Sequence, residues 1–207
     1  MTAISIIGAG NVARGIATRA IEAGDTVQLI VRNPESAQAL ASDLGDSVTV
    51  NTIGDAITGD LVFLAIPFLA VSEVLPALGD LSGKTLVDAT NPINADYTGL
   101  VTQPGTSAAD EISKLAPAAK VVKAFNTVFA NNVIAGTKNG QPLDLLVAAD
   151  DADAKAALSA FAEKTGFRVI DTGALSQAET LEAIAWLHIQ LQFSRGTNFV
   201  SAIQIVD

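Results

Sequence analysis

The 207-residue sequence contains no cysteine and only one histidine, one tyrosine, one tryptophan and one methionine. The lack of cysteine excludes thiol nucleophiles, disulfide bonds and cysteine-ligated metal sites, and we predict no metal centre. Charged residues make up only 16% of the chain, below the roughly 25% typical of globular domains. The hydrophobic content of 49% is sufficient for a sizeable core. We therefore expect a single α/β domain over residues 1–207.

Basic residues are scarce, since 12 Lys and Arg stand against 22 Asp and Glu, for a net charge of −10. This balance argues against a nucleic-acid partner, which would require a basic patch. The longest apolar stretch, residues 61–71, contains Pro67 and is too short to span a bilayer. The N-terminus lacks the basic segment of a signal peptide. We expect a cytoplasmic protein with no membrane partner.

The N-terminal segment has the pattern of a dinucleotide-binding turn. An apolar run at residues 3–7 leads into Gly8, Ala9, Gly10, Asn11 and Val12. In such a turn Gly8 permits a tight bend, Gly10 lets a pyrophosphate approach the backbone, and the small Ala13 lets a helix pack on the strand. The helix N-terminus would present free N–H groups to the phosphate. Because the motif follows a predicted strand and precedes a predicted helix, we predict a nucleotide site.

The second predicted strand, residues 27–31, ends at Arg32. NAD-binding chains usually place Asp or Glu there to hold the ribose 2′-OH, whereas a guanidinium pairs with a 2′-phosphate through two hydrogen bonds. Asn33 and Ser36 offer additional neutral donors. Glu35 carries the opposing charge, and we expect the start of the next helix to turn it outward. The sequence therefore predicts NADP(H) rather than NAD(H) as the cofactor.

Apolar, non-alternating strand patterns alternate with helical patterns along most of the chain. Further strands are predicted at residues 48–50, 61–66, 84–88, 120–125, 143–149 and 167–171, and helices at 35–44, from 106 or 107, and at 151–164. Residues 176–205 read as mainly helical. The order predicts a doubly wound parallel sheet of the NAD(P)-binding Rossmann type, with a C-terminal helical segment at 173–207.

Three predicted strand ends carry loops suited to a flat nicotinamide, which needs an apolar wall and a hydrogen bond for its carboxamide. They read Ala65-Ile66-Pro67, Thr90-Asn91-Pro92 and Ala124-Phe125-Asn126. Ligands of open parallel sheets bind at the carboxyl ends of the strands, where these loops should meet. Taken singly, each also has a structural interpretation as a helix start, a turn or a cap.

Two titratable residues near these elements are not predicted to be catalytic. His188 lies in an apolar helix, which indicates a core or dimer-interface histidine. Lys123 alternates away from the loop that follows it. The apolar positions of this last helix (Leu181, Ile184, Ala185, Leu187, His188 and Leu191) exceed what one buried face needs, so we expect a homodimer.

Together these motifs resemble the NADP-dependent oxidoreductases that use the deazaflavin coenzyme F420, and their relatives, including the NADPH domain of the six-transmembrane metalloreductases. The resemblance covers nearly the whole chain. It rests on residues 8–12 (GAGNV), here called the glycine loop, and on Arg32, residues 65–67, residues 121–127 (VVKAFNT) and residues 171–176 (DTGALS). It implies that the glycine loop and Arg32 hold NADP(H), that the strand-end loops hold the nicotinamide, and that the C-terminal helices complete an acceptor pocket or a dimer interface.

The resemblance implies an oxidoreductase that transfers a hydride between NADPH and a small-molecule acceptor, either a flavin or F420. The chain has Ala70 and the pair Phe125-Asn126 where the deazaflavin enzymes carry a histidine and a Leu-His pair, which brings it closer to the metalloreductase type. The cofactors carry the chemistry, so no catalytic side chain is predicted. The alternatives are an NADPH-binding redox sensor or regulatory protein, and a reductase of a small imine or carbonyl substrate, which would need a proton donor.

Overall fold

The computed structural model describes residues 2–206, and an eight-stranded sheet with helices on both faces forms the fold. The strands are β1 (Ala3–Ile7), β2 (Thr26–Val31), β3 (Val48–Thr52), β4 (Leu61–Leu64), β5 (Thr85–Asp88), β6 (Lys120–Lys123), β9 (Asp144–Ala149) and β10 (Arg168–Gly173). A separate hairpin consists of β7 (Thr137–Lys138) and β8 (Gln141–Pro142). The helices are α1 (Asn11–Glu22), α2 (Glu35–Leu44), α3 (Val71–Val74), α4 (Ala108–Leu115), α5 (Ala130–Ala135), α6 (Ala152–Lys164) and α7 (Ala178–Arg195).

The strand order is β10-β9-β6-β5-β4-β1-β2-β3. The six strands from β1 to β6 are mutually parallel, which confirms the predicted Rossmann-type half of the sheet. Chain order reverses between β1 and β4, and the crevice of such a sheet opens at the carboxyl ends of these strands. This position places the glycine loop, which follows β1, beside the loop that follows β4.

The last two strands of the sheet depart from the parallel arrangement of the other six. β9 is antiparallel to β6, and β10 is parallel to β9. The connection from β6 to β9 contains only the six-residue helix α5 and the short hairpin. A parallel return would require a crossover that passes back along the sheet, usually a longer helix. The chain instead turns back from the carboxyl edge.

The C-terminal segment is less helical than predicted. α7 ends at Arg195, and Gly196 follows in the left-handed conformation with φ 61°. Asn198 and Phe199 also have positive φ values, 51° and 57°. Because a left-handed residue ends an α-helix, residues 197–206 continue without helix and pass back over α5 and α7.

The sheet separates two apolar layers. On one face, strand side chains such as Phe63 and Leu145 pack against α1, α2, α5 and α6. On the other face, Leu64 and Leu86 pack against residues 71–78 and α4. Burial on both faces explains why the central strands read as continuous apolar runs rather than alternating ones.

Candidate functional site

The glycine loop fits a diphosphate. Gly8 has φ +111°, and a Cβ atom there would lie 2.5 Å from the carbonyl oxygen of Ala65, so the turn requires glycine. Gly10 precedes α1, and a Cβ atom on it would meet nothing within 4 Å. No side chain caps α1, and its first turn has no acidic residue. Its first N–H groups are therefore available to an anion, which the helix dipole also favours.

A cavity of about 310 Å³, here called the arginine cavity, lies beside this loop. It is lined by Ile7, Gly8, Ala9, Ile30, Val31, Arg32, Asn33, Ser36, Ile53, Ile66, Pro67, Ala70 and Val74. Seven of the predicted site residues are among them: Gly8, Ala9, Arg32, Asn33, Ser36, Ile66 and Pro67. The structure thus brings the ends of β1, β2 and β4 together around one space. Ile66 and Pro67, which were predicted to face a nicotinamide, line the same cavity as Arg32.

Arg32 supplies the positive charge of the arginine cavity. Its guanidinium lies 3.5 Å from the carboxylate of Glu73, and both side chains are about two-thirds exposed (66% and 71%). Such an exposed pair contributes little stability, so a phosphate can displace Glu73 at low cost. Glu35, the acidic residue next to the motif, is exposed and is not among the residues that line the cavity. A phosphorylated ribose therefore fits this end of the site.

A second cavity of about 470 Å³, here called the aromatic cavity, begins at the next residues of the same loop. It is lined by Asn11, Val12, Ile93, Tyr97, Phe129, Ala130, Asn131, Ile189, Asn198 and Phe199. Of these, only Asn11 and Val12 were predicted as cofactor contacts. Sequence reasoning did not bring the others together because they come from the 93–97 loop, α5, α7 and the C-terminal segment, which no local motif connects.

The walls of the aromatic cavity support one another. The Phe129 ring lies against the His188 ring, with centroids 4.2 Å apart, and meets the edge of Phe199 at 5.2 Å. His188 Nε2 lies 2.7 Å from Ser201 Oγ, which fixes the C-terminal segment on α7. Burial lowers the pKa of His188, and the backbone of Thr127 partly opposes this shift. His188 is thus a buried support of the cavity, as its apolar helix indicated.

The loops that follow β5 and β6 contact each other. Asn91 Nδ2 donates to the Asn126 carbonyl oxygen at 2.8 Å, and Asn126 Nδ2 donates to Asn91 Oδ1 at 3.1 Å. Thr90 Oγ1 and Asn126 Oδ1 are buried and have no hydrogen-bond partner in the described part of the chain. The described contacts of the protein therefore do not account for these two polar atoms.

Eight predicted contacts line neither cavity: Gly10, Ala65, Thr90, Asn91, Pro92, Ala124, Phe125 and Asn126. Their contact with the cofactor stays a prediction. The Phe125 side chain lies in the core, edge-on to Phe63 at 5.9 Å and to Phe167 at 5.5 Å. Because this side chain is buried, only the backbone of Phe125, which has φ +66°, can face a ligand.

A buried ion network behind these loops was not predicted. Lys123 Nζ donates to Asp88 Oδ2 at 2.8 Å, to the Thr90 carbonyl at 2.8 Å and to Glu182 Oε1 at 2.7 Å. Both Glu182 oxygens also accept from the backbone N–H of Ala108. Burial raises the pKa of Glu182, and Lys123 opposes that shift. Lys123 therefore points away from the loop, as predicted, and ties β5 and β6 to α7.

The comparisons with known proteins agree with this geometry. Residues 3–92, which include the glycine loop and Arg32, match the family described as NADP oxidoreductase, coenzyme F420-dependent. A solved structure from Arthrobacter sp. FB24, provisionally described as an F420-dependent NADP-reductase, is 27% identical, with a TM-score of 0.89 over 100% of each chain. Residues 3–92 therefore belong to this F420-dependent NADP oxidoreductase family. The chain is an NADP-dependent oxidoreductase with a Rossmann-type fold.

Two further proteins are similar to this chain over most of its length. The structure of hypothetical protein SMa0349 from Sinorhizobium meliloti is 30% identical, with a TM-score of 0.79 over 86% of this chain and 88% of the other. Metalloreductase STEAP3 of Rattus norvegicus is 32% identical over 182 residues, which is 87% of this chain and 36% of the rat protein. The chain thus spans about a third of the length of that curated relative. Among residues 2–206, no helix has the length and apolar character to cross a membrane.

Proposed function

We propose that this oxidoreductase transfers a hydride between NADPH in the arginine cavity and a flavin or deazaflavin acceptor in the aromatic cavity. The observation that carries the proposal is the position of the glycine loop. Gly8 and Ala9 line the first cavity, and Asn11 and Val12 line the second. A dinucleotide bound along this loop would have its phosphorylated ribose at Arg32 and its diphosphate at the start of α1.

The residues of the site bind and orient rather than react. Arg32 pairs with the 2′-phosphate, and the first N–H groups of α1 hold the diphosphate. When bound, NADP(H) supplies or accepts the hydride, and the reacting carbons must approach to about 3–3.5 Å. Tyr97, Phe129 and Phe199 provide flat apolar walls that hold a ring and exclude water. No side chain needs to act as an acid or base in such a transfer.

The test is stopped-flow measurement of NADPH absorbance with F420, FMN, FAD and riboflavin offered in turn. Rapid oxidation with one of them supports hydride transfer and identifies the acceptor. Tight NADPH binding without oxidation of NADPH by any of the four acceptors would contradict the proposal and favour a redox sensor.

A reductase of small imines or carbonyls is the alternative enzyme, and Tyr97 is the observation that favours it. This tyrosine lines the aromatic cavity and carries a hydroxyl that such a reaction could use as proton donor. The variant Tyr97→Phe separates the two reactions. Flavin reduction should keep its rate because it needs no proton donor from Tyr97, whereas imine or carbonyl reduction should fall at least tenfold.

We also propose that the protein is a cytoplasmic homodimer joined through α7. Leu187 (61% exposed) and Leu191 (42%) lie four residues apart on α7 and form an apolar stripe open to solvent. Light scattering should give a dimer mass for the wild type and a monomer mass for Leu187→Glu. Leu115→Glu, which places the same charge at an exposed leucine of α4, should stay dimeric. A monomeric wild type would contradict this proposal.

A further inference from the structure

The aromatic cavity carries no charge of its own. Within the described residues 2–206, its lining includes no Lys, Arg, Asp or Glu. Its polar side chains are Tyr97, with a hydroxyl group, and three amides, those of Asn11, Asn131 and Asn198. Amides donate and accept hydrogen bonds at once, so they match the alternating N–H and carbonyl groups on the edge of a heterocyclic ring. They have no ionic partner to offer a phosphate or a carboxylate.

The backbone around this cavity is strained. Tyr97, Asn198 and Phe199 all have left-handed φ values, 57°, 51° and 57°, and all three line the cavity. Such conformations cost on the order of 1 kcal/mol or more for a residue with a Cβ atom, and they persist only where surrounding contacts enforce them. Residues held in this way concentrate at ligand sites.

Specific hydrogen bonds enforce the strain. Asn94 Oδ1 accepts from the backbone N–H groups of Thr98 and Gly99, at 2.8 and 3.1 Å, and so closes the turn that holds Tyr97. Ser201 Oγ accepts from Gln192 Nε2 at 2.6 Å and lies against His188, which holds the segment with Phe199. The aromatic walls are therefore fixed before a ligand arrives, which reduces the entropy lost on binding.

Resting on the hydride-transfer function proposed above, we propose that the aromatic cavity selects its acceptor by lack of charge. It accepts an uncharged planar ring with amide-like edges, the riboflavin class. It discriminates against the same ring with an anionic tail, as in FMN, FAD or F420. A tail phosphate here would find no cation, and the net charge of −10 would repel it. Specificity thus comes from what the cavity lacks as well as from what it contacts.

The test compares riboflavin with FMN, which share one ring and differ by a phosphate. Quenching of flavin fluorescence gives the Kd of each ligand on protein saturated with NADP⁺, so that Arg32 is occupied and cannot bind the FMN phosphate. We expect riboflavin to bind roughly tenfold more tightly than FMN. Equal or tighter binding of FMN, or no binding of either ring, would overturn the proposal.

Two variants that each add one positive charge test whether the selectivity comes from the aromatic cavity. Asn131→Lys adds a cation to the lining of the cavity, at an exposed position of α5, and should bring the FMN to riboflavin Kd ratio to below about threefold. Gln141→Lys makes the same change in net charge at an exposed position of β8 and should leave the ratio unchanged. If Gln141→Lys narrowed the ratio equally, net charge rather than the cavity would be the cause, and the proposal would fail.

Failure of the proposed function gives a different result. If riboflavin binds selectively but NADPH absorbance does not fall when it is added, hydride transfer is contradicted while the charge selectivity of the cavity stands. If NADPH is oxidised rapidly by FMN and slowly by riboflavin, and Kd values follow the same order, hydride transfer stands and the selectivity is overturned.

Discussion

The arginine cavity and the aromatic cavity share one loop but offer a ligand opposite chemistry. The first presents a guanidinium held only by an exposed carboxylate 3.5 Å away, so its charge is available for exchange. The second presents rings and amides, with its walls fixed by internal hydrogen bonds. The difference shows two ways to achieve specificity on one scaffold. The arginine cavity selects a phosphate by pairing with its charge, whereas the aromatic cavity selects an uncharged ring by its shape and its lack of charged side chains.

The largest effect should come from the buried ion network that ties β5 and β6 to α7. Lys123→Met leaves Asp88 and Glu182 buried without their common cation, and removing one partner of a buried ion pair costs about 3–5 kcal/mol. We expect the free energy of unfolding in urea to fall by about that amount. Lys120→Met on the same strand breaks a half-exposed pair with Asp151 and should cost less than about 1 kcal/mol. Equal losses would show that the network contributes no more than a surface pair.

The next largest effect is expected from Arg32→Ala, which should weaken binding in the arginine cavity and leave binding in the aromatic cavity unchanged. Hydrogen bonds to charged groups contribute about 1.5–3 kcal/mol, so the Kd for NADPH should rise roughly 10- to 150-fold while the Kd for NADH changes little. Riboflavin binding should not change. Arg14→Ala removes an exposed arginine of α1 that pairs with Asp43, and calorimetry should show near-wild-type NADPH binding. Equal affinity of wild type and Arg32→Ala for NADPH would defeat the assignment of Arg32.

A smaller effect, confined to the aromatic cavity, is expected from Tyr97→Ala. Stacking of a heterocycle on an aromatic side chain contributes about 1–3 kcal/mol by alanine substitution. Because Tyr97 is half exposed, we expect the lower part of that range, roughly a fivefold to tenfold rise in the riboflavin Kd. Tyr97→Phe keeps the ring and should bind as the wild type does. A loss of NADPH affinity in Tyr97→Ala would mean that the cavities are not independent.

The smallest expected effect is the pH dependence that His188 contributes. Burial lowers the pKa of His188 below its ordinary 6.5, so the unfolded chain takes up the proton first as pH falls. The contribution of His188 to stability is therefore complete above that value and is lost as pH falls below it. Urea unfolding at several pH values between 8 and 5 should show a steeper decline for the wild type than for His188→Gln. Parallel curves would show that His188 does not titrate between the two states.

The sequence allowed prediction of the arginine cavity and not of the aromatic one. The glycine loop and Arg32 follow the carboxyl ends of the two parallel strands of one strand–helix–strand unit, so local order alone determines how they meet. Tyr97, Phe129 and Phe199 are separated by about thirty and seventy residues, and they meet only because α5 and the C-terminal segment fold back on α7. No spacing rule predicts contacts of that kind.

The misses in the fold have the same origin. Residues 176–205 were predicted to be mainly helical, but Gly196 takes a left-handed conformation that ends α7 at Arg195. β9 is antiparallel to β6 because residues 124–143 contain too little helix for a crossover. Hydrophobic patterns in the sequence do not show the direction of a strand. Lys123 was correctly predicted to point away from the loop, yet its partner Glu182 lies 59 residues further along the chain.

The Lys123 network also determines where this protein could be truncated. An engineer who wished to graft the nucleotide half onto another scaffold would cut before α7, since the phosphate-binding parts end well upstream. That cut would remove Glu182 and leave an ammonium group and Asp88 at a newly exposed apolar surface. The smallest fragment that could be transferred therefore includes α7. Because α7 also lines the aromatic cavity, the nucleotide-binding part and the acceptor-binding part would have to be transferred together.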